Sequence, residues 1–389
     1  MRRSRSLERT MKRADRVGCW LAVGVAAGLC ASGCGPQRGP EPLPVVPSVL
    51  EANGMDVLWH TQLVLAKKTP VSPPRRTHLV RLWLCDSLLI GLGDDNWIYA
   101  VDAKTGVRRW SMPAAPKHET VQQPAVHGDK VWVVSTTTLL GLEAAAGREV
   151  SKARLDFAAS GRPAACETHV FIPNVAGYLE ALAVVPDMVP WRRWMEGAVT
   201  AGPVLDNTMV YFASQGGQVI ASSRSRHRTS WLYRAEGSVT ADLRRTKAGL
   251  VLVASLDYSV YAFAGGGGRL VWQYHAGEPV RKAPYAQGDL VFVFTEAKGL
   301  TAVDAESGDA RWILAAGQDY ASADAKNAYI VSRGEDILAV SRSDGKVQFG
   351  LPLRRGTMVG ENETDSGILY MATPEGQVMA AAAAKSESP

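Results

Sequence analysis

The sequence predicts an all-β fold, an eight-bladed β-propeller of four-stranded antiparallel blades, its ring closed by an N-terminal strand that pairs with the last blade. Three observations predict it. A strand pattern recurs about every 40 residues, an alanine is followed ten residues later by an aromatic in most repeats, and the final repeat ends before its aromatic. Self-similarity at this period marks repeat architectures, and four short strands fill about 40 residues in a propeller blade.

The second strand of successive repeats begins near Leu88, Val131, Val170, Val210, Leu250, Leu290, Tyr329 and Ile368, at spacings of 43, 39, 40, 40, 40, 39 and 39 residues. Runs such as Val131-Trp132-Val133-Val134 and Leu290-Val291-Phe292-Val293-Phe294 are β-branched and aromatic. Around the anchors the pattern has period two, with no i, i+3, i+4 stripe to support a helix. Leucine-rich and ankyrin repeats, which need such a helix, are excluded.

Ala100, Ala181, Ala221, Ala262, Ala302 and Ala339 are followed at ten residues by Trp110, Trp191, Trp231, Trp272, Trp312 and Phe349. A large ring against a methyl-sized residue is expected to dock neighbouring blades. The second repeat has Gly141 and Ser151 at these places, so its junction is expected to be the most weakly docked. The eighth repeat, Gly367 to Ala380, lacks an outer strand. Val57 to Leu63, with Trp59, supplies one from the other end of the chain and removes an exposed sheet edge.

Ahead of the repeats, Arg2, Arg3, Arg5, Arg9, Lys12, Arg13 and Arg16 form a basic region before the apolar run Val17 to Ala31, which is too short to span a bilayer comfortably. Met11 is an equally good start. Ala31-Ser32-Gly33-Cys34 resembles a lipobox, with Ala31 where leucine is commonest, and implies a diacylglyceryl group on Cys34. The expected organisation is a lipoprotein signal peptide over 1–33, the lipidated cysteine and a Pro-rich extended tether over 34–55, the propeller over 56–383 and a tail over 384–389. Seven of the 43 Lys and Arg and two of the 38 Asp and Glu lie in residues 1–34, which leaves 36 of each. A neutral body gives no support to nucleic-acid binding. Of the five cysteines, Cys85 and Cys166 remain in the body, two blades apart and beyond disulfide reach, and are expected to be buried thiols.

Tyr99-Ala100-Val101-Asp102-Ala103-Lys104-Thr105-Gly106, followed by Trp110, resembles the tryptophan-docking motif of the pyrroloquinoline-quinone-like propeller superfamily. Ala302-Val303-Asp304-Ala305-Glu306-Ser307-Gly308, followed by Trp312, is a second close copy, and the resemblance extends over roughly 56–383. Within that superfamily a lipidated chain that is all propeller is similar to the BamB-like lipoproteins of outer-membrane β-barrel assembly. The resemblance implies a monomeric scaffold at the periplasmic face of the outer membrane, with envelope proteins as partners, among them the barrel-inserting protein. Two alternatives belong to other classes: a quinone-dependent dehydrogenase holding quinone and calcium at the axis, and a ligand-sensing envelope propeller.

The residues favour the scaffold, with no catalytic set, metal or cofactor expected. The seven histidines are scattered, no Cys-Cys pair occurs, and Gly265 to Gly268 reads as a hairpin turn because no helix follows it. Acidic residues such as Asp94, Asp95, Asp206 and Asp344 sit in turn signals, and Gln122, Gln123, Asp242 and Asp324 at inner-strand starts do not make a hard-oxygen calcium set. The segment Val184 to Met195 combines prolines with Arg192, Arg193, Trp194 and Met195, a hot-spot composition. Trp191 is explained by docking and Trp194 is not, so a loop bulging from the sheet is expected to expose an interface here. Arg281, Lys282, Arg354 and Arg355 precede inner strands and are candidates for the channel mouth.

Overall fold

The computed structural model describes residues 42–65, 77–225 and 228–384. The signal segment, Cys34 and residues 385–389 lie outside them. Eight four-stranded antiparallel sheets are present, seven of them ordered from inner to outer strand as the chain runs. Blade one is Leu79–Cys85, Leu88–Gly93, Trp97–Asp102 and Arg108–Pro113. Blade eight is Met358–Gly360, Leu369–Ala372 and Gln377–Ala383, completed by Met55–Gln62 from the N-terminal side. Trp59 stands opposite Ala380 in that closing ladder, as the unfinished repeat predicts.

The core lies between blades. One cluster joins Tyr211, Ala213, Val219 and Ala221 of blade four to Val251, Val253, Tyr261 and Phe263 of blade five. Similar clusters occupy other junctions, because each strand alternates its side chains between the two faces of its sheet. Cys85 and Cys166 are buried and free, in agreement with the expectation.

The alanine-aromatic pairs are direct cross-strand neighbours within one blade: Ala100 and Trp110, Ala181 and Trp191, Ala221 and Trp231, Ala262 and Trp272, Ala302 and Trp312, Ala339 and Phe349. This corrects the expectation that the alanine receives the ring of a neighbouring blade. Its small side chain instead lets the outer aromatic reach the second-strand ring of the same blade, as in Phe171 to Trp191 at 5.8 Å and Phe292 to Trp312 at 6.0 Å between centroids.

Docking to the next blade uses the tight turn between its third and fourth strands. Trp59 Nε1 donates to Ala103 O at 3.1 Å, Trp110 to Ala144 O at 2.9 Å, Trp191 to Arg224 O at 3.0 Å, Trp231 to Gly265 O at 2.8 Å, Trp272 to Ala305 O at 3.0 Å and Trp312 to Arg342 O at 2.8 Å. In five of these turns a glycine with positive φ lies against the indole. At Gly106, φ +73°, an added Cβ would come within 2.5 Å of the Trp59 ring. The motif aspartate shapes the turn, since Asp102 Oδ1 accepts from Lys104 N at 3.1 Å and Thr105 N at 2.8 Å while Oδ2 meets Arg109 at 2.6 Å.

Blade two departs from this scheme by moving its tryptophan inward. Trp132, on the second strand, stands opposite Gly141, where an added Cβ would meet its ring at 2.6 Å. Trp132 packs with Val170, Ile172 and Leu182 of blade three. The outer strand Glu149–Arg154, with Ser151 in place of an aromatic, is exposed at all six residues.

Part of the expected tether is ordered structure. Pro47–Ala52 is a short helix, and Val45, Leu50 and Met55 are buried with Tyr329, Ile337 and Leu351 of blade seven and Met371 and Met379 of blade eight. Arg354 N donates to Pro44 O at 2.9 Å. The prolines are compatible with a helix start, since Pro47 stands at its first turn where no N–H is required. Apolar Val45 and Leu50 then anchor a segment that composition alone reads as extended.

Candidate functional site at the ring axis

Gln123, Arg162, Gly202 and Asp242 occupy equivalent places where the inner strands of blades two to five begin, 39, 40 and 40 residues apart. Gly202 leaves the space in front of blade four open, so side chains of blades three and five meet across it. Asp242 Oδ1 accepts from Gly202 N at 2.6 Å, and Oδ2 lies 3.5 Å from Arg162 Nε. A Cβ on residue 202 would stand 2.8 Å from Asp242 Oδ1 and 3.0 Å from Arg162 Cβ.

From blade five the network continues to blade eight. Arg244, its side chain 6% exposed, lies 3.8 Å from Asp242, 3.5 Å from Glu361 Oε2 and 2.8 Å from Glu363 Oε1. Its guanidinium also stands over the Tyr285 ring at 5.3 Å, and Tyr285 donates its hydroxyl proton to Glu361. Lys247 of blade five and Gln287 of blade six both reach Asp365. The acidic connection between the first two strands of blade eight, Glu361 to Asp365, is thus held by blades five and six. Burial works to lower the Arg244 pKa, but Glu363, Tyr285, Glu361 and Asp242 outweigh it and raise it. Burial pushes the Glu361 carboxyl above the usual carboxylate range, with Arg244 and Tyr285 opposing.

Two cavities adjoin the network. One of about 550 Å³ is lined by Arg81, Trp83, Gln122, Gln123, Arg162 and Asp242 among others. The second, about 360 Å³, shares Arg81, Trp83 and Gln123 and reaches Glu361.

A quinone with calcium requires uncommitted oxygen ligands at the axis. Glu361 and Glu363 meet Arg244, Asp242 meets Gly202 and Arg162, and Asp365 meets Lys247 and Gln287, so these carboxylates do not form such a set. Among the described residues no group of three or more His, Cys, Asp or Glu is placed to share a metal ion.

Of the residues singled out at the channel mouth, Arg281 and Arg355 are exposed. Lys282 Nζ bridges to blade seven through Asp319 Oδ2 at 2.9 Å and Gln318 O at 3.1 Å, and lies 4.5 Å from the Phe294 centroid. Arg354 holds the N-terminal segment, its Nη1 3.4 Å from Pro42 O. None of the four lines the two axial cavities.

On blade three, residues 184–190 leave the sheet as a connection that exposes Met188 and Val189, but Trp191–Trp194 is the outer strand itself, which corrects the expectation that Trp194 lies on the bulged loop. Trp194 is 59% exposed opposite Tyr178, and the Arg192 guanidinium lies 4.9 Å from the Tyr178 ring centroid. Arg193 is half-buried. Met195 is 1% exposed and packs with Phe171 and Phe212, so it is core and drops out of the candidate surface. Strand alternation explains the split, since Trp191 faces the core and Arg192 faces out before the chain turns inward at Met195.

Asp206 is a turn cap as expected, accepting from Thr208 N and Met209 N, whereas Asp324, expected at an inner-strand start, follows that strand and caps the turn after it, accepting from Lys326 N and Asn327 N. Sequence reasoning missed Arg162, Arg244, Glu361, Glu363 and Asp365. The signal was present as two short segments of opposite charge, Arg244-Arg245-Thr246-Lys247, which begins with the first strand of blade five, and Glu361-Asn362-Glu363-Thr364-Asp365, which follows the first strand of blade eight.

A family model described as outer membrane protein assembly factor BamB matches residues 94–185 and again 176–387. Comparison with curated proteins gives no match. Among solved structures, BamB from Moraxella catarrhalis is similar at 12% identity and a TM-score of 0.63, over 83% of this chain and 100% of that one. The computationally designed Ika8 protein is similar at 14% identity and a TM-score of 0.64, over 82% and 98%. These two likenesses are of fold alone. The family match spans most of the ring and includes both close copies of the docking motif, and by it the chain belongs to the family described as outer membrane protein assembly factor BamB.

Proposed function

We propose that this chain is a non-catalytic, monomeric scaffold of the bacterial cell envelope, held by a lipid on Cys34 at the periplasmic face of the outer membrane and serving β-barrel protein assembly. The family match along the ring carries this reading. Exposed Trp194 beside Arg192 supports a protein-binding surface on blade three, because tryptophan and arginine dominate interface energetics when a partner covers them. Committed carboxylates at the axis favour a scaffold over quinone chemistry.

The test is photo-crosslinking in intact membranes from position 194, with position 149 on the exposed outer strand of blade two as the control. Recovery of a barrel-assembly component from 194 and not from 149 is the expected result. If equal yields from both positions are found, or no envelope protein is captured, the interface is not on this face. Trp194→Ala with Arg192→Ala should weaken that complex, where truncating an interface tryptophan often costs about 2 kcal/mol. The melting temperature should stay unchanged, since Trp194 packs into no core cluster.

A further inference from the structure

We propose that the 550 Å³ cavity beside the axis is a binding site for a small organic monocarboxylate, with Arg162 and Arg81 receiving the carboxylate and Trp83 carrying its apolar body. The volume falls within the range of small-ligand sites, roughly 300–1,000 Å³. Its lining includes Trp83, Val80 and Leu92 together with Gln122 and Gln123.

The cations here lack full compensation. Arg162 has one ion-pair partner among the described residues, Asp242 at 3.5 Å from Nε, and Nε itself is inaccessible and without a hydrogen bond. Its side chain keeps 22% of its surface and lines the cavity, and its terminal nitrogens make no hydrogen bond to the described residues, so the guanidinium fork remains for a ligand. That fork matches the two oxygens of a carboxylate. Asp242 is shared with Gly202 N and Arg244, which limits what it gives Arg162. Burial, with Arg244 adding to it, holds the Arg162 pKa below its ordinary range, a penalty that an incoming anion relieves.

Blade one contributes Arg81 and Trp83 to the same lining. Its inner strand, Leu79–Cys85, is seven residues long where blades three, four and five have two. The extra length sets Arg81 and Trp83 two residues apart on one face of the strand. Arg81 is exposed and has no ion pair among the described residues. Asp242 in this lining and Glu361 in that of the adjoining cavity add negative charge, which penalises a dianion and selects a single charge.

The probe is 3-phenylpropanoate, titrated calorimetrically into the full chain in detergent, with 3-phenylpropanamide and inorganic phosphate as comparisons. Saturable binding of the acid, at least tenfold weaker binding of amide and phosphate, and a fivefold or larger loss in Arg81→Gln are expected. Arg162→Gln should abolish binding, and Arg162→Lys, which keeps the charge of a buried site, should weaken it if the fork geometry matters. The proposal is overturned by acid and amide binding alike, by phosphate matching the acid, by Arg81→Gln and Arg162→Lys both binding as wild type, or by no saturable heat at about 10 mM acid, where a ~1 mM site would fill. The proposal does not rest on the scaffold reading, and crosslinking from position 194 reports on that reading separately.

Discussion

Replacing Arg244 by methionine tests whether the axis holds the ring together. Arg244 has three carboxylates within 4 Å and a side chain 6% exposed, so the substitution leaves Glu361, Glu363 and Asp242 facing one another without their cation. Breaking a buried ion pair from one side costs about 3–5 kcal/mol. Glu361 and Glu363 keep 39% and 47% of their side-chain surface exposed, so the lower end of that range applies, about 3 kcal/mol. With an unfolding entropy of roughly 2.1 cal/mol/K per residue over some 330 residues, this lowers Tm by about 4 °C. Thermal unfolding by circular dichroism reads the shift. Arg244→Met combined with Glu361→Gln and Glu363→Gln removes the stranded charges and should recover more than half of it. A shift in the single variant below about 1 °C, or a triple variant less stable than the single one, would refute the reasoning.

Three further perturbations probe the rim and the closing segment. Gly106→Ala forces a Cβ onto the Trp59 ring at a positive φ, and backbone strain with overpacking should cost about 2–4 kcal/mol in urea unfolding, whereas Gly266→Ala, with open space around it, should cost far less. Asp102 and Asp304 are held at about 2, Asp102 chiefly by Arg109 and Thr105 and Asp304 chiefly by the Ser307 amide and Arg311. A depressed carboxyl contributes stability above its ordinary pKa and loses it as pH falls toward the folded value, so stability should decline between about pH 4 and pH 2, and Asp102→Asn with Asp304→Asn should flatten that decline. Leu50→Ala, in the segment expected to be free tether, should cost about 2–4 kcal/mol because Leu50 is fully buried; an unchanged melt would return that segment to the tether.

The ring was legible in the sequence because its determinants are local and repeated. Each alanine and its aromatic are ten residues apart, and the segment around Trp59 carries the strand pattern and aromatic that the last repeat lacks. Where the reading failed, the determinants were distant or single. Arg244 and Glu363 are separated by 119 positions, and an acid after a first strand looks the same whether it caps its own turn, as Asp206 does, or crosses the axis, as Glu363 does. Val45 and Leu50 gave too few apolar positions for a pattern, so prolines dominated the reading of a segment that packs. Blade two departs for a third reason: its ring stands two strands inward at Trp132, away from the position the other repeats use, with Gly141 compensating in volume.

Rim and hub hold the ring in different ways. Along the rim each tryptophan ties its blade to the next, from Trp59 of blade eight onto blade one through Trp312 of blade six onto blade seven. The hydrogen-bonded chain is interrupted between blades seven and eight, where Phe349 has no N–H, and between blades two and three, where Ser151 has no indole to offer and the apolar contact of Trp132 stands in. At the hub the ties skip neighbours: blade three reaches blade five through Arg162 and Asp242, blade five reaches blade eight through Arg244 and Glu363, and blade six reaches blade eight through Tyr285 and Glu361. A ring joined by neighbours alone opens wherever one junction fails. Chords from blade three to five to eight bind blade three to the far side of the ring independently of its junction with blade two. The charged axis therefore has a structural reason to persist at the very place where a catalytic propeller would keep its oxygen ligands free.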